Sequence, residues 1–75
     1  MISVGAIYEH YKGKKYKVIA IARHTENLEE YVVYQALYHD EKFGNQAFWL
    51  RPLSMFTESI VFEGLMQPRF QEVQR

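Results

Sequence analysis

The chain has 75 residues and no cysteine, and its nine Lys and Arg residues balance nine Asp and Glu residues. A chain of this length forms one small domain that buries about 60% of the surface its unfolded form exposes. Without cysteine, neither disulfide bonds nor thiolate metal sites can stabilise that domain. No stretch is apolar enough for a signal peptide or a membrane span, so we expect a cytoplasmic protein.

The first predicted element is a β-hairpin. Its first strand runs from Gly5 to His10 or Tyr11, Lys12-Gly13-Lys14 forms the turn, and the second strand runs from Tyr16 to Arg23. Side chains alternate between the two faces of a strand, so one apolar set of the second strand is predicted to lie inside. That set is Tyr16, Val18, Ala20 and Ala22.

The segment from His24 to Glu29 is predicted to connect the hairpin to a third strand over residues 31–38. The polar sequence "HDEKFGNQ" then indicates a long loop. A fourth strand, "AFWLR", ends at Pro52, because proline cannot donate a hydrogen bond to a ladder.

The sequence "PLSMF" is too short for a full helix and predicts a single helical turn, with Leu53, Met55 and Phe56 closing one end of a barrel. A fifth strand is predicted from Ser59 to Glu63. After a break at Gly64, "PRFQEV" is predicted as a sixth, edge strand. We expect residues 71–75 to form a frayed tail.

Together these elements predict one all-β domain over residues 1–75, a small SH3-like, partly open barrel of five to six antiparallel strands with one short helical turn. An OB-type barrel is the alternative, although it normally needs more chain and a longer helix. The predicted core contains six apolar residues, Val18, Ala20, Val32, Leu50, Leu53 and Phe56.

Several motifs resemble those of a family of small bacterial proteins of unknown function. They are "HYKG" with Gly5 and Tyr8 before it, "ARHTE", "VVYQALY", "WLRPLSMF" and "PRF", and they span almost the whole chain. The resemblance implies membership of that family, which brings no established activity. The stretch from His39 to Phe48 is longer than the corresponding link in the family, so a function built by this loop would be particular to this protein.

The sequence His24-Thr25-Glu26 allows two interpretations. A histidine beside a carboxylate can be a general base, and one hypothesis assigns His10, His24 and Glu26 a hydrolase or ligand-processing role. The same residues can form a polar turn in which Thr25 or Asn27 bonds to the backbone. We favour the turn and assign no catalytic residue. We also predict no metal site and no cofactor, because the three histidines lack a compact ligand spacing and no phosphate-binding loop is present.

The aromatic content points to binding. Six tyrosines, five phenylalanines and one tryptophan exceed what so small a core needs, and Tyr, Trp and Arg dominate binding hot spots. Alternation puts Trp49 on the same face as Arg51, which we predict to lie outside the main core with Tyr34 or Tyr38 as a cross-strand neighbour. The candidate binding residues are Tyr8, His10, Lys12, Tyr34, Tyr38, Trp49, Arg51 and Arg69.

We therefore predict a non-enzymatic binding or adaptor module with a peptide or protein partner. The alternative is single-stranded nucleic-acid binding through the hairpin Lys12–Lys17 and exposed aromatic side chains. Residues 1–23 carry five cationic side chains against one carboxylate, but the whole chain has no net charge and so lacks the positive field of a typical nucleic-acid binder. Lysines beside a tight turn also discourage sheet edges from associating.

Overall fold

The computed structural model describes residues 2–73. Its elements in chain order are β1 (Ile7–His10), β2 (Lys15–Arg23), β3 (Glu30–Ala36), β4 (His39–Asp40), β5 (Gly44–Asn45), β6 (Phe48–Pro52), α1 (Leu53–Phe56), β7 (Ser59–Phe62), β8 (Leu65–Pro68) and β9 (Phe70–Glu72). The prediction of an all-β domain with one short helical turn is confirmed, whereas the likeness to SH3 barrels stays a prediction. Helix α1 is a single turn, and no helix formed by residues 2–73 could cross a membrane.

Five strands form one antiparallel sheet in the order β6-β3-β2-β1-β9, and two small ladders, β4-β5 and β7-β8, stand outside it. Strands β6 and β9 are the edges of this sheet. The guanidinium carbon of Arg51 in β6 nevertheless lies 5.7 Å from the ring centroid of Phe70 in β9. The sheet therefore curls until side chains from its two edges meet.

The core lies inside this curl. Its buried residues are Tyr8, Val18, Val32, Tyr34, Ala36, Phe56 and Phe70. Val18, Val32 and Phe56 were predicted there, and Leu53 packs against them as a partly buried neighbour. The predicted role of Met55 in closing one end of the barrel is wrong, because this residue is 45% exposed.

A β-bulge in β2 overturns the predicted inner face of that strand after Val18, whereas the prediction holds for Tyr16 and Val18. Val18 pairs with Tyr34, but the register shifts before Ala20, so that Ile21 pairs with buried Val32. One extra residue in a strand moves every later side chain to the opposite face. Ile21 therefore packs against the core, and the predictions for Ala20 and Ala22 are wrong.

Strand β6 also faces the opposite way from the prediction. Arg51 pairs with Val32 and Trp49 pairs with Tyr34, so both side chains lie on the inner face. Leu50 consequently points outward and is 59% exposed, although it was predicted in the core. Trp49, predicted outside, is half-buried and packs against the core.

Two segments contain strands that were not predicted. The predicted loop after β3 contains the β4-β5 ladder, in which Asp40 accepts hydrogen bonds from the backbone N–H groups of Lys42 and Phe43 at 2.7 and 3.0 Å. These bonds lower the pKa of Asp40. The second segment follows the predicted break at Gly64 and contains strand β8, which pairs with β7.

The predicted frayed tail is wrong for residues 71–73. Gln71 and Glu72 belong to β9, and Val73 donates its backbone N–H to the carbonyl of Ile7 at 2.9 Å. Residues 74 and 75 lie outside the described residues.

Candidate binding site

Phe70, the first residue of β9, is the centre of an aromatic cluster inside the curled sheet. Its ring stacks on Phe56 with 4.0 Å between centroids and 3° between planes. Tyr34, Tyr16 and His10 meet it nearly perpendicularly, with centroids 5.5, 5.8 and 5.0 Å away. Edge-to-face pairs of this kind stabilise beyond the area they bury. The cluster is thus a rigid floor beneath the polar groups at its margin.

Arg51 places a positive charge at this margin. Its Nε donates a hydrogen bond to the Tyr34 hydroxyl at 3.2 Å, and its guanidinium lies over the ring of Phe70. It forms no ion pair with any Asp or Glu of residues 2–73. Burying part of an arginine without a carboxylate partner costs free energy, so the partly buried Arg51 is unusual for packing alone.

His10 is the neighbour of Arg51 from β1. It pairs with Phe70 in the sheet, and its Nδ1 accepts the backbone N–H of Lys12 at 3.2 Å. This bond leaves Nε2 to carry the proton of the neutral ring. Burial lowers the pKa of His10, and the positive charges of Arg51, Arg69 and Lys12 lower it further. His10 is therefore neutral at pH 7.

Arg69, between β8 and β9, already has a carboxylate partner. Its Nη2 lies 3.1 Å from Oε1 of Glu58. Its Nε is buried without a hydrogen-bond partner among residues 2–73. Arg69 thus adds a positive potential near His10, but most of its charge is balanced locally.

Two tyrosines complete the margin. The hydroxyl oxygens of Tyr16 and Tyr38 lie 2.6 Å apart and share a hydrogen bond. Burial, followed by this bond, raises the pKa of Tyr16, so the phenol stays protonated at neutral pH. The ammonium group of Lys14 lies 4.8 Å from the ring centroid of Tyr38, a cation–π contact from the first turn.

These residues together form what we call the Arg51 site, which consists of His10, Tyr16, Tyr34, Tyr38, Arg51, Arg69 and Phe70. A cleft of about 290 Å³ shares His10 with this site. Its other lining residues come from β1, β8 and β9 and from beside them, namely Glu9, Tyr11, Gln67, Pro68 and Gln71. The site therefore combines a cationic group, phenol hydroxyls and an aromatic floor with a neighbouring polar cleft.

The structure brings together five of the eight predicted binding residues, His10, Tyr34, Tyr38, Arg51 and Arg69. Tyr8 is a core residue instead, because its ring packs on Phe56 and its hydroxyl accepts the backbone N–H of Ser3 at 3.1 Å. Lys12 is exposed on the first turn. Trp49 contacts Phe43, with centroids 4.9 Å apart.

Sequence reasoning missed Tyr16 and Phe70 as site residues. The alternation in β2 placed Tyr16 inside, which is correct, but gave no sign that its hydroxyl meets Tyr38. The motif "PRF" marked Phe70 without assigning it a role. The place of Phe70 in the site depends on the pairing of β9 with β1, which the sequence alone does not show.

The segment from His24 to Glu29 is a connection between β2 and β3, as predicted. Asn27 Oδ1 accepts the backbone N–H of Glu29 at 2.8 Å, and His24 Nδ1 accepts that of Glu26 at 3.2 Å. The side chains of His24 and Glu26 are 39% and 81% exposed. The structure does not bring His24 and His10 together, because β2 separates them by roughly 25 Å.

No group of three or more His, Asp or Glu side chains within residues 2–73 is arranged to hold a metal ion. His24 is half-buried and lines a small cleft of about 80 Å³ on the outer side of the sheet, beside Tyr31 and Leu50.

Comparison with known proteins places the chain in a family. Residues 6–72 match the family described as "Protein of unknown function (DUF1653)". A crystal structure of a DUF1653 protein from Bordetella bronchiseptica is similar over 92% of this chain and 85% of that chain, with 33% sequence identity and a TM-score of 0.81. No curated protein matches the chain. The chain that holds the Arg51 site therefore belongs to the DUF1653 family.

Proposed function

We propose that this chain is a non-enzymatic binding module that receives a peptide segment of a partner protein at the Arg51 site. The observation that carries this proposal is the half-buried Arg51, held by Tyr34 and Phe70 and lacking a carboxylate partner within residues 2–73. A protein retains such a group at a cost in stability, and binding sites are where such costs are expected. Arginine beside tyrosine is also the residue combination that dominates interface hot spots.

The neighbouring cleft suits a peptide main chain. The amides of Gln67 and Gln71 and the carboxylate of Glu9 provide both donors and acceptors, which match the alternating N–H and C=O groups of a peptide. The rings of His10 and Tyr11, with centroids 4.3 Å apart, provide an aromatic wall for its side chains. His10 lines this cleft and also belongs to the Arg51 site, so the two are adjacent.

The same features argue against a nucleic-acid strand at this site. A strand carries one phosphate per nucleotide and requires several free cations along its path. Here the cleft carries Glu9, and Arg69 is paired with Glu58. The exposed lysines of the first turn remain the alternative contact for a strand.

A random peptide library displayed on phage and selected on the immobilised protein tests the proposal. We expect selected peptides to shift the amide NMR signals of His10, Tyr38 and Arg51. We expect Arg51→Gln to lower the affinity for these peptides about tenfold. The matched control is Arg23→Gln, which changes an exposed arginine that is paired with Glu30 near His24. We expect this control to bind like the wild type.

Selected peptides that shift signals elsewhere, or that lose equal affinity in both variants, would contradict the proposed site. An oligothymidine strand that binds more tightly than any selected peptide, through the lysines of the first turn, would replace the peptide proposal with nucleic-acid binding.

A further inference from the structure

The Arg51 site contains more hydrogen-bond donors than acceptors. Arg51 uses Nε on Tyr34, and its terminal nitrogens make no hydrogen bond within residues 2–73. Tyr34 accepts that bond, so its own hydroxyl hydrogen is still free to donate. The pair of Tyr16 and Tyr38 holds two hydroxyl hydrogens, of which the shared bond uses one.

These donors come from three strands and from the segment after β3, and all but Tyr38 contact the ring of Phe70. Tyr34 and Tyr16 both meet the ring of Phe70, and Arg51 lies over the same ring. Tyr16 and Tyr34 also contact each other edge to face, with centroids 5.2 Å apart. Hydrogen-bond donors without an acceptor suit an oxyanion, and the planar guanidinium fork of Arg51 matches a carboxylate bidentately.

The site itself offers one positive charge, that of Arg51, and Lys14 lies against the ring of Tyr38 at its margin. Arg69 is paired with Glu58, so Arg51 is the one cation of the Arg51 site that lacks a carboxylate partner among residues 2–73. His10 is neutral at pH 7, since burial and the charges of Arg51, Arg69 and Lys12 lower its pKa. A carboxylate carries one negative charge, whereas a phosphorylated side chain carries about 1.5 to 2 at this pH.

We propose that the Arg51 site binds one carboxylate of the partner peptide, with Arg51 as its bidentate ligand and the tyrosine hydroxyls as additional donors. The carboxylate is either the free C-terminus of the peptide or an Asp or Glu side chain. This inference rests on the proposed peptide-binding function and names the group that the peptide presents.

The first test uses acetate as the probe. In NMR titrations at neutral pH we expect acetate to shift the Arg51 Nε–Hε signal saturably in the wild type and in Arg23→Gln, but not to bind Arg51→Gln. Arg51→Lys keeps the charge without the fork, and we expect it to bind acetate about tenfold more weakly. The dispersed spectrum of each variant shows that it is folded.

Chloride and inorganic phosphate are the controls for this titration. We expect chloride at equal ionic strength to cause no saturable shift. If chloride causes the same shift, or if phosphate binds more tightly than acetate at neutral pH, the assignment of a carboxylate is wrong.

The second test uses the selected peptides. Amidation of the C-terminus removes the main-chain carboxylate of the peptide. Replacement of its Asp or Glu by the corresponding amide removes the side-chain carboxylate. We expect one of these changes, and not both, to weaken binding about tenfold or more. Peptides that bind at the Arg51 site with neither change having an effect would overturn this inference while leaving the proposed function intact.

Discussion

Strands β3 and β6 are neighbours in one sheet, yet they distribute polarity in opposite ways. In β3 the inner side chains Val32, Tyr34 and Ala36 are buried in the core. In β6 the inner face carries the charge of Arg51, while Phe48 and Leu50 point outward and are 63% and 59% exposed. The interior strand β3 therefore follows the rule that apolar groups lie inside, and the edge strand β6 violates it.

This difference sets the core-filling side chains of β3 apart from Arg51, the charged residue around which the site is built. A sequence that obeys every local rule specifies a stable fold, and exceptions concentrate where function requires them. Phe70 lies at the boundary, because its ring belongs to the core and also supports Arg51. The following predictions test the two faces against each other, starting with the largest effect.

Truncating the inner face should cost far more than truncating the outer face. We expect Phe70→Ala to lower the free energy of unfolding by about 3–5 kcal/mol, since it removes a buried ring and leaves a cavity against Phe56. A domain of this size has a total stability of roughly 4–11 kcal/mol, so this variant is close to unfolding. Urea unfolding followed by circular dichroism measures the loss.

The matched control is Phe48→Ala on the outer face, for which we expect a change within about 0.5 kcal/mol. Phe70→Leu keeps most of the apolar volume and gives a measurable transition if the alanine variant does not fold. Equal losses from Phe48→Ala and Phe70→Ala would contradict the division between the faces.

Removing the charge from the inner face should stabilise the protein. We expect Arg51→Met to raise the free energy of unfolding by about 0.5–2 kcal/mol, because it removes a charge that has no carboxylate partner among residues 2–73 and places a thioether against the ring of Phe70. Denaturant unfolding measures this gain. A clear loss of stability would show that Arg51 is held for the fold and would weaken the case for a ligand.

The outer-face histidine should matter little. His24 makes only local bonds to the turn and lies beside Leu50. We therefore expect His24→Ala to change the free energy of unfolding by no more than about 1 kcal/mol. A loss well above this value, seen in the same unfolding experiment, would restore the catalytic interpretation of His24 and Glu26.

The inner-face histidine should make stability depend on pH. The pKa of His10 is lower in the folded protein than its ordinary value of 6.5, so below pH 6.5 the unfolded chain binds the proton more readily. The contribution of His10 is therefore present above pH 6.5 and is lost as pH falls through its folded pKa.

Unfolding curves at several pH values measure this effect, and His10→Phe provides the comparison. We expect the stability of the wild type to decrease from pH 7 to pH 5 more than that of His10→Phe. Parallel pH profiles would show that neither burial nor the charges of Arg51 and Arg69 lower the pKa of His10 on folding.

Much of the fold could be predicted from local sequence. The turn at Gly13 has φ of 103°, a conformation that glycine adopts without strain, and the hairpin around it was predicted. Pro52 ends β6 as predicted, and "PLSMF" forms one helical turn with Phe56 buried. These features depend on a few neighbouring residues, which sequence reasoning can assess.

The errors have one physical origin, which is that strand pairing depends on segments distant in the sequence. A strand with apolar residues on both faces does not reveal which face is buried, and "FWL" in β6 is such a case. In β2 the bulge after Val18 exchanged the faces midway, which alternation alone cannot show. The prediction of β9 as a sixth strand was correct, but the frayed tail was not, because pairing with β1 orders residues 71–73.

The sequence by itself determined the all-β class, the hairpin turn and the aromatic residues from which the site is built, because propensity and turn chemistry act locally. Only the tertiary structure decided that Arg51 faces inward onto Phe70 beside His10, since these residues come from β6, β9 and β1. Their meeting depends on the curl that brings both edges of the sheet together. Strand register and sheet curvature arise from contacts between distant segments, and no single segment encodes them.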